Sequence, residues 1–441
     1  MAARQVDFAR SDDPVLDRLL IAAGQQQISG VDLSLDRINR LLARMASPHR
    51  KLPPVFHVAG TNGKGSTCAF LRAALEAAGH QVHVFTSPHL VRVNERIRIA
   101  GTLVSDADFA EALAEVLRFN AGQPLSFFEA LTAAGFLLFA AHPADACILE
   151  VGLGGRLDST NVIEQPLVTG ISQLAMDHVA ILGPTIRHIA GEKAAIAKRG
   201  VPLVTQKYPA AVAAKVAEVA ALRGAPVWAR GDAWDAAIYE GQLGFRSFAG
   251  EDEPLKLPLP KLAGAHQADN AALAVAMLRA QNALKVPDSA LRSAMGWAQW
   301  PARLQRLLTG PLQAMLPAAS ELWVDGGHNP AAAKALASFV QGAKPDLPLH
   351  IVVGMLAAKD HVAFLKAFPK DTRLTAVPVA GHAVTAPDEI ASVASGFGMR
   401  ADVAADIASA LAGVGEPSRE LIAGSLHLAG AALHQNGTLP A

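Results

Sequence analysis

The run Val55-Phe56-His57-Val58-Ala59-Gly60-Thr61-Asn62-Gly63-Lys64-Gly65-Ser66-Thr67 limits the fold most sharply. A β-branched stretch enters a glycine-rich turn, and a helical pattern begins directly after it. Glycines let backbone N–H groups wrap closely around a phosphate. Lys64 adds a positive charge for phosphate oxygens, and Ser66 or Thr67 can cap the helix or face a metal. The spacing departs from the usual P-loop: Gly60 to Lys64 is two residues shorter, and Gly65 separates the lysine from the hydroxyl residue. A glycine turn alone could serve geometry only. The coincidence of strand, glycines, lysine and hydroxyls points to phosphate binding.

Around this run, short apolar stretches alternate with helix-like ones. Candidate strands are residues 55–59, 82–86, 146–151, 168–172 and 201–206, with helical patterns at 67–78 and 127–141 between them. The second helix is apolar nearly all round and so should be buried. Such alternation implies an α/β fold with a mostly parallel sheet covered on both faces, binding ligands at the carboxyl ends of its strands. From about 208 to 259 the pattern weakens into an irregular or antiparallel excursion. Helical patterning returns at 263–284 and 288–296. Alternation then restarts with strands at 322–325, 349–354 and 374–379, as in a smaller doubly wound domain. The 441 residues are too many for one ordinary core. The expected organisation is a P-loop-type, mostly parallel-sheet domain over 1–303 and a Rossmann-like domain over 304–441, divided after Trp300-Pro301-Ala302-Arg303.

Acids and histidines fall near the expected strand ends. Glu150 closes the apolar run Cys147-Ile148-Leu149 and precedes Val151-Gly152-Leu153-Gly154-Gly155-Arg156-Leu157-Asp158. Beside a P-loop strand, a metal-binding or water-positioning acid belongs there. Met176-Asp177-His178 follows another strand, and His178 could bind metal or simply pack. Lys193 lies in an otherwise apolar helical run; a desolvated lysine is nucleophilic, whereas one snorkelling to the surface is not. Thr86-Ser87-Pro88-His89-Leu90 reads locally as an ordinary loop with one possible ligand, Ser87. Asp325-Gly326-Gly327-His328-Asn329-Pro330 could hold a ribose or cap a strand–helix turn.

Formal net charge is zero, so a nucleic-acid or membrane-surface role has no electrostatic support. The two cysteines, Cys68 and Cys147, sit in apolar contexts and read as core residues. The first residues lack an apolar signal core, and the longest apolar stretch is shorter than the roughly 20 residues of a membrane span. A soluble cytoplasmic enzyme is expected.

In order, these blocks resemble the folylpolyglutamate synthase/dihydrofolate synthase family of the Mur-ligase superfamily. The matching runs are His57 to Ser66, Thr86 to Leu90 with Asn94-Glu95-Arg96-Ile97, Leu149 to Asn161, and Asp177-His178. They continue through Gly191-Glu192-Lys193-Ala194, His266-Gln267 with Asn270-Ala271-Ala272, Trp300-Pro301 with Arg303, and Asp325 to Pro330. They are collinear from about residue 30 onward. The resemblance makes the domain over 1–303 an ATPase domain and implies an ATP cradle of Thr61, Asn62, Gly63, Lys64, Gly65 and Ser66, with further nucleotide contacts at Asn270, Arg303 and Asp325. His328 would share that cleft as a catalytic residue with Lys64 and Lys193. Ser87, Glu150 and His178 resemble Mg²⁺ ligands, and Lys193 the lysine that becomes a carbamate and bridges a second Mg²⁺; K⁺ is a further candidate. Phe128, Glu129, Leu157, Asp158 and Ser159 resemble positions near the pterin-bearing substrate. Where the family commonly has Gly, Gly and Ala, this chain has Ala195, Ala302 and Gly327, small-for-small changes expected to alter loop detail.

The implied activity is ATP-dependent addition of L-glutamate to dihydropteroate and to reduced folates through an acyl phosphate, by a monomer that closes its second domain over the first. The alternatives are a synthase that only extends folate tails, a Mur-type ligase of peptidoglycan precursors, and a nucleotide switch that makes no amide. The segment Gln25-Gln26-Gln27-Ile28-Ser29-Gly30 is a candidate part of a pterin pocket.

Overall fold

The computed structural model describes residues 9–26, 33–248, 254–342 and 347–440. Residues 27–30 of the candidate pterin segment lie outside the described residues. The chain divides into two compact units. One is Val6–Lys261 with His266–Gln299, and the other is Trp300–Ala441 with Leu262–Ala265.

The first unit is built on an eight-stranded sheet. Its strands are β1 (Val55–Ala59), β2 (Val82–Phe85), β3 (Ile97–Ile99), β4 (Thr102–Leu103), β5 (Ala146–Glu150), β6 (Val168–Ile171), β7 (Leu203–Thr205) and β8 (Val227–Ala229). They lie in the order β4-β3-β2-β5-β1-β6-β7-β8. From β2 to β8 all neighbours are parallel, and β3 and β4 add an antiparallel edge. Every residue of β1, β2, β5, β6 and β7 is buried. This is the signature of a parallel sheet covered on both faces. The helix Lys64–Ala77 packs against the helices His266–Arg279 and Asp288–Trp297. A second apolar cluster joins Val55, Phe85, Cys147 and Leu149 of the sheet to Phe109, Leu113, Phe127, Leu131 and Phe136 of the helices Asp106–Asn120 and Phe127–Ala141. Both cysteines are free and buried.

Register decides where the loops emerge. Val58 pairs with Glu150, Ala59 with Ile171, and Phe85 with Leu149. The segments after β1, β5, β6 and β2 therefore leave the same edge of the sheet side by side.

The expected excursion over 208–259 needs a correction in its first half. The helix Ala210–Arg223 and strand β8 continue the α/β alternation there. That helix buries only Val212, Val216 and Ala220, one line of residues four apart, and has no side-chain cap. Its alanine-rich surface hides the periodicity on which a sequence reading depends. The antiparallel part is present further on, as β9 (Trp234–Tyr239), β10 (Gln242–Ser247) and β11 (Leu255–Pro258).

The second unit holds six strands: β12 (Gln305–Leu307), β13 (Glu321–Val324), β14 (Leu349–Val353), β15 (Arg373–Ala376), β16 (Arg400–Val403) and β17 (Arg419–Ala423). Their order is β12-β13-β17-β14-β15-β16, parallel except for β12. The expected mixed α/β class is observed in both units. Among the described residues no helix is long and apolar enough to cross a membrane.

Candidate active site

The phosphate loop is held from below and beside. Gly63 caps the helix Lys64–Ala77 in a left-handed conformation (φ 85°), where a Cβ would stand 2.2 Å from Asn270 Oδ1. Asn270, on the helix His266–Arg279, thus lies directly against the loop backbone. Its own amide donates to Gln267 Oε1 at 3.0 Å. The Thr61 hydroxyl donates to the Ala175 carbonyl and accepts from the Ala175 amide, both at 3.1 Å. Thr61 and Asn62 N–H both donate to the Gln173 carbonyl, and Ser172 Oγ donates to the Asn62 carbonyl at 2.7 Å. The segment after β6 therefore forms one wall of the loop. Ser66 is buried, and the Thr67 hydroxyl donates to the Gly63 carbonyl.

Glu150 and Lys193 reach this loop, and His178 lies further along the segment that follows β6. Glu150 ends β5, buried, with one carboxylate oxygen accepting from the Ser87 amide at 3.2 Å and the other 3.9 Å from Lys64 Nζ. Lys193 does not snorkel: it is 5 % exposed, and its Nζ donates to the Gly60 carbonyl at 2.9 Å. Burial, reinforced by the charge of Lys64, pulls its ammonium down to about 7, against the opposing pull of Asp177, Asp158 and Glu192. Much of Lys193 is therefore neutral amine near neutral pH. His178 follows β6 in a left-handed conformation (φ 50°) with its side chain 44 % exposed and Nε2 3.9 Å from Asp177 Oδ1.

Among the described residues no three His, Cys, Asp or Glu side chains form a metal cluster. Ser87, Glu150, His178 and an oxygen-bearing Lys193 would offer a sparse, mainly oxygen donor set. That suits Mg²⁺, which keeps waters and phosphate oxygens in its shell rather than a full protein cage. The buried Glu150 carboxylate, placed beside a lysine 3.9 Å away, is the observation that fits it.

The loop after Glu150 runs between two other candidates. A Cβ on Gly152 would stand 2.5 Å from Phe128 Cζ, and one on Gly155 would stand 2.7 Å from the Glu192 carbonyl and 3.1 Å from Lys193 Cα. Arg156 N–H donates to the Glu192 carbonyl at 2.9 Å. Asp158 folds back, accepting from the Leu153 amide at 2.8 Å. Leu157 is half-buried, and Ser159 is buried within a short 3₁₀ turn capped by Asp158. Glu129 is occupied structurally: its carboxylate accepts from the Ser126 amide in a capping box and from Arg37 Nε at 3.2 Å.

Arg303, Asp325 and His328 belong to the second unit. Asp325 accepts from the Leu304 amide at 2.8 Å and the Gly327 amide at 2.6 Å. The capped-turn reading therefore holds locally. Arg303 Nη1 donates to the Ala302 carbonyl at 2.8 Å, and His328 Nδ1 lies 2.9 Å from the Gly326 carbonyl. Ala302 is buried with φ 53°, a conformation that glycine adopts without strain.

The sequence expectations gave no role to Gln173, nor to His57, Thr160 and Asp177, which fall inside the matching runs. The available signal was a polar residue, His57, inside an otherwise apolar strand.

Residues 58–278 match the Mur ligase middle domain. The Bacillus subtilis dihydrofolate synthase/folylpolyglutamate synthase is 37 % identical over 355 residues, 76 % of this chain and 79 % of that protein. Escherichia coli FolC, solved in complex with DHPP and ADP, superposes with a TM-score of 0.83 at 30 % identity, covering 96 % of this chain and 98 % of that one. A bifunctional folylpolyglutamate synthase/dihydrofolate synthase solved with Mn, AMPPNP and L-glutamate gives 0.83 at 29 % identity, covering 97 % and 99 %.

Proposed function

The chain belongs to the dihydrofolate synthase/folylpolyglutamate synthase family within the Mur ligases, and from this we propose how its residues divide the reaction. It is an ATP-dependent ligase of folate metabolism. We assign it both acceptors, dihydropteroate and reduced folates. The first unit carries the phosphate loop and serves as the ATP-binding domain; to Arg303, Asp325 and His328 of the second unit we assign the nucleotide and catalytic roles that the family resemblance implies.

In the first half-reaction the acceptor carboxylate attacks the γ-phosphorus of ATP, ADP leaves, and an acyl phosphate forms. The amine of glutamate then attacks the acyl carbon, inorganic phosphate is expelled, and the nitrogen loses a proton. Lys64 and the N–H groups of the first turn of the helix Lys64–Ala77 would face the transferring charge, while Thr61 and Asn62 N–H are held by the Gln173 carbonyl; electrostatic stabilisation of this kind dominates phosphoryl transfer. Mg²⁺ ions held by Ser87, Glu150, His178 and Lys193 would supply the remaining positive charge. Phe128 and the loop that presses on it offer a platform for the pteridine.

The observation that carries the reading is Lys193, buried with its amine 2.9 Å from the first carbonyl of the phosphate loop, a setting whose desolvation pulls the ammonium down to about 7. A neutral amine adds carbon dioxide: an N–C bond forms, a proton is released, and a cation becomes an anionic oxygen donor. An ordinary lysine, protonated to pH 10.5, would not react this way at neutral pH.

The test is phosphate release with Mg-ATP and glutamate, comparing dihydropteroate with tetrahydrofolate. Turnover of both supports the bifunctional assignment. Turnover of tetrahydrofolate alone reduces it to tail extension, and turnover of neither refutes it. Replacing potassium by sodium salts in the same assay tests the K⁺ requirement.

A further inference from the structure

We infer that His57 is a positioning residue: through the Thr160 hydroxyl it fixes the Asp158 carboxylate, and with it the loop that lies between Phe128 and Lys193. The inference rests on the proposed roles of those two residues.

His57 sits on β1 and is fully buried, with Nε2 2.8 Å from Thr160 Oγ1. Thr160, also fully buried, places the same oxygen 2.5 Å from Asp158 Oδ1. Asp158 Oδ1 accepts from the Thr160 amide as well, at 3.0 Å, while Oδ2 accepts from the Leu153 amide at 2.8 Å. A carboxylate surrounded by donors is an acceptor only. The Thr160 proton therefore points to Asp158, and its free lone pair faces His57, which must donate from Nε2. This fixes the tautomer and leaves Nδ1 as an acceptor with no hydrogen-bond partner among the described residues.

On stability grounds alone this is a poor choice. A leucine of similar size would fill the space without an orphaned acceptor. What the imidazole provides is a donor of fixed direction at the root of the sheet. Its order passes along Thr160 and Asp158 to Leu153. That loop touches Phe128 at Gly152 and Lys193 at Gly155, so its placement sets the separation of the substrate platform from the reactive lysine.

The experiment compares His57→Leu, Thr160→Val and Thr160→Ser in the amide-forming assay and by hydrogen exchange at the Leu153 amide. Loss of one directed hydrogen bond is expected to raise KM for the pteridine substrate about tenfold in His57→Leu and Thr160→Val, with KM for ATP changed less than about twofold. Thr160→Ser keeps the hydroxyl and should behave as wild type. Leu153 exchange should quicken about tenfold in the first two variants. Exchange needs no turnover, so a wild-type protein inactive on pteridines would sink the proposed function and still leave this inference decided. Unchanged Leu153 exchange, or equal increases in both KM values, would overturn it. If His57→Leu does not fold, the Thr160 pair decides alone.

Discussion

Replacing His57 by leucine should change how stability responds to acid, by an amount set by burial. Burial in β1, reinforced by the charge of Lys198, pushes the imidazole down to about 3, against 6.5 for an exposed histidine. Between those values the unfolded chain binds a proton that the folded chain does not. Stability must then rise with pH across this window, and it is lost as pH falls from 6.5 toward 3. At ~1.4 kcal/mol per pH unit, the full window is worth about 5 kcal/mol. The 1.5 units from 6.5 down to 5 are worth about 2 kcal/mol. Leucine carries no such linkage. At pH 7 the variant loses the bond to Thr160 but also the orphaned Nδ1, so the two proteins should agree within ~1 kcal/mol. At pH 5 the variant should have gained about 2 kcal/mol on the wild type. Urea unfolding followed by tryptophan fluorescence at the two pH values reads this difference directly, and every other titrating group cancels in the comparison. A gap that stays the same at both pH values would refute the reasoning, as would a variant that loses ground in acid.

Lys64→Ala should abolish ATP-dependent phosphate release while leaving the circular dichroism spectrum unchanged, since alanine keeps the helix Lys64–Ala77 and only the ammonium beside Glu150 is removed. Gly63→Ala forces a Cβ to 2.2 Å from Asn270 Oδ1 at a backbone φ of 85°. Calorimetric titration should show nucleotide affinity reduced by about 5- to 30-fold, from strain of ~1–2 kcal/mol. Glu420→Ala removes the carboxylate that bonds both His350 Nδ1 at 2.6 Å and the Ser418 hydroxyl at 2.5 Å in the core, and should cost roughly 2–4 kcal/mol in the urea unfolding of the second unit.

The phosphate loop, the strand–helix alternation and the buried helix Phe127–Ala141 were all legible, because each is a local pattern written in consecutive residues. Strand β17 was not. It runs through the middle of the second sheet, yet it begins with Arg419 and Glu420, which no local pattern marks as core. Arg419 is buried against Glu321, and Glu420 against His350, residues far away in the chain. A buried charge is tolerable only with such partners, and the partners exist only once the sheet has formed. The helix Ala210–Arg223 escaped for the opposite reason, since its alanines are apolar on every side.

The candidate site divides along the same line. The sequence by itself determined which chemical groups are available: a lysine in a glycine turn, an acid at a strand end, a lysine in an apolar helix. Glu129 shows the limit, because its Ser126 capping partner is readable in sequence whereas its pairing with Arg37 is not. Only the tertiary structure decided that Lys193 is buried rather than snorkelled. Only the register of β1, β5 and β6 brought Gly60, Glu150 and the Ser172–His178 segment to one edge. The physical reason is that periodicity and turn chemistry act over a few residues. Desolvation and charge pairing depend on what the rest of the chain folds against them.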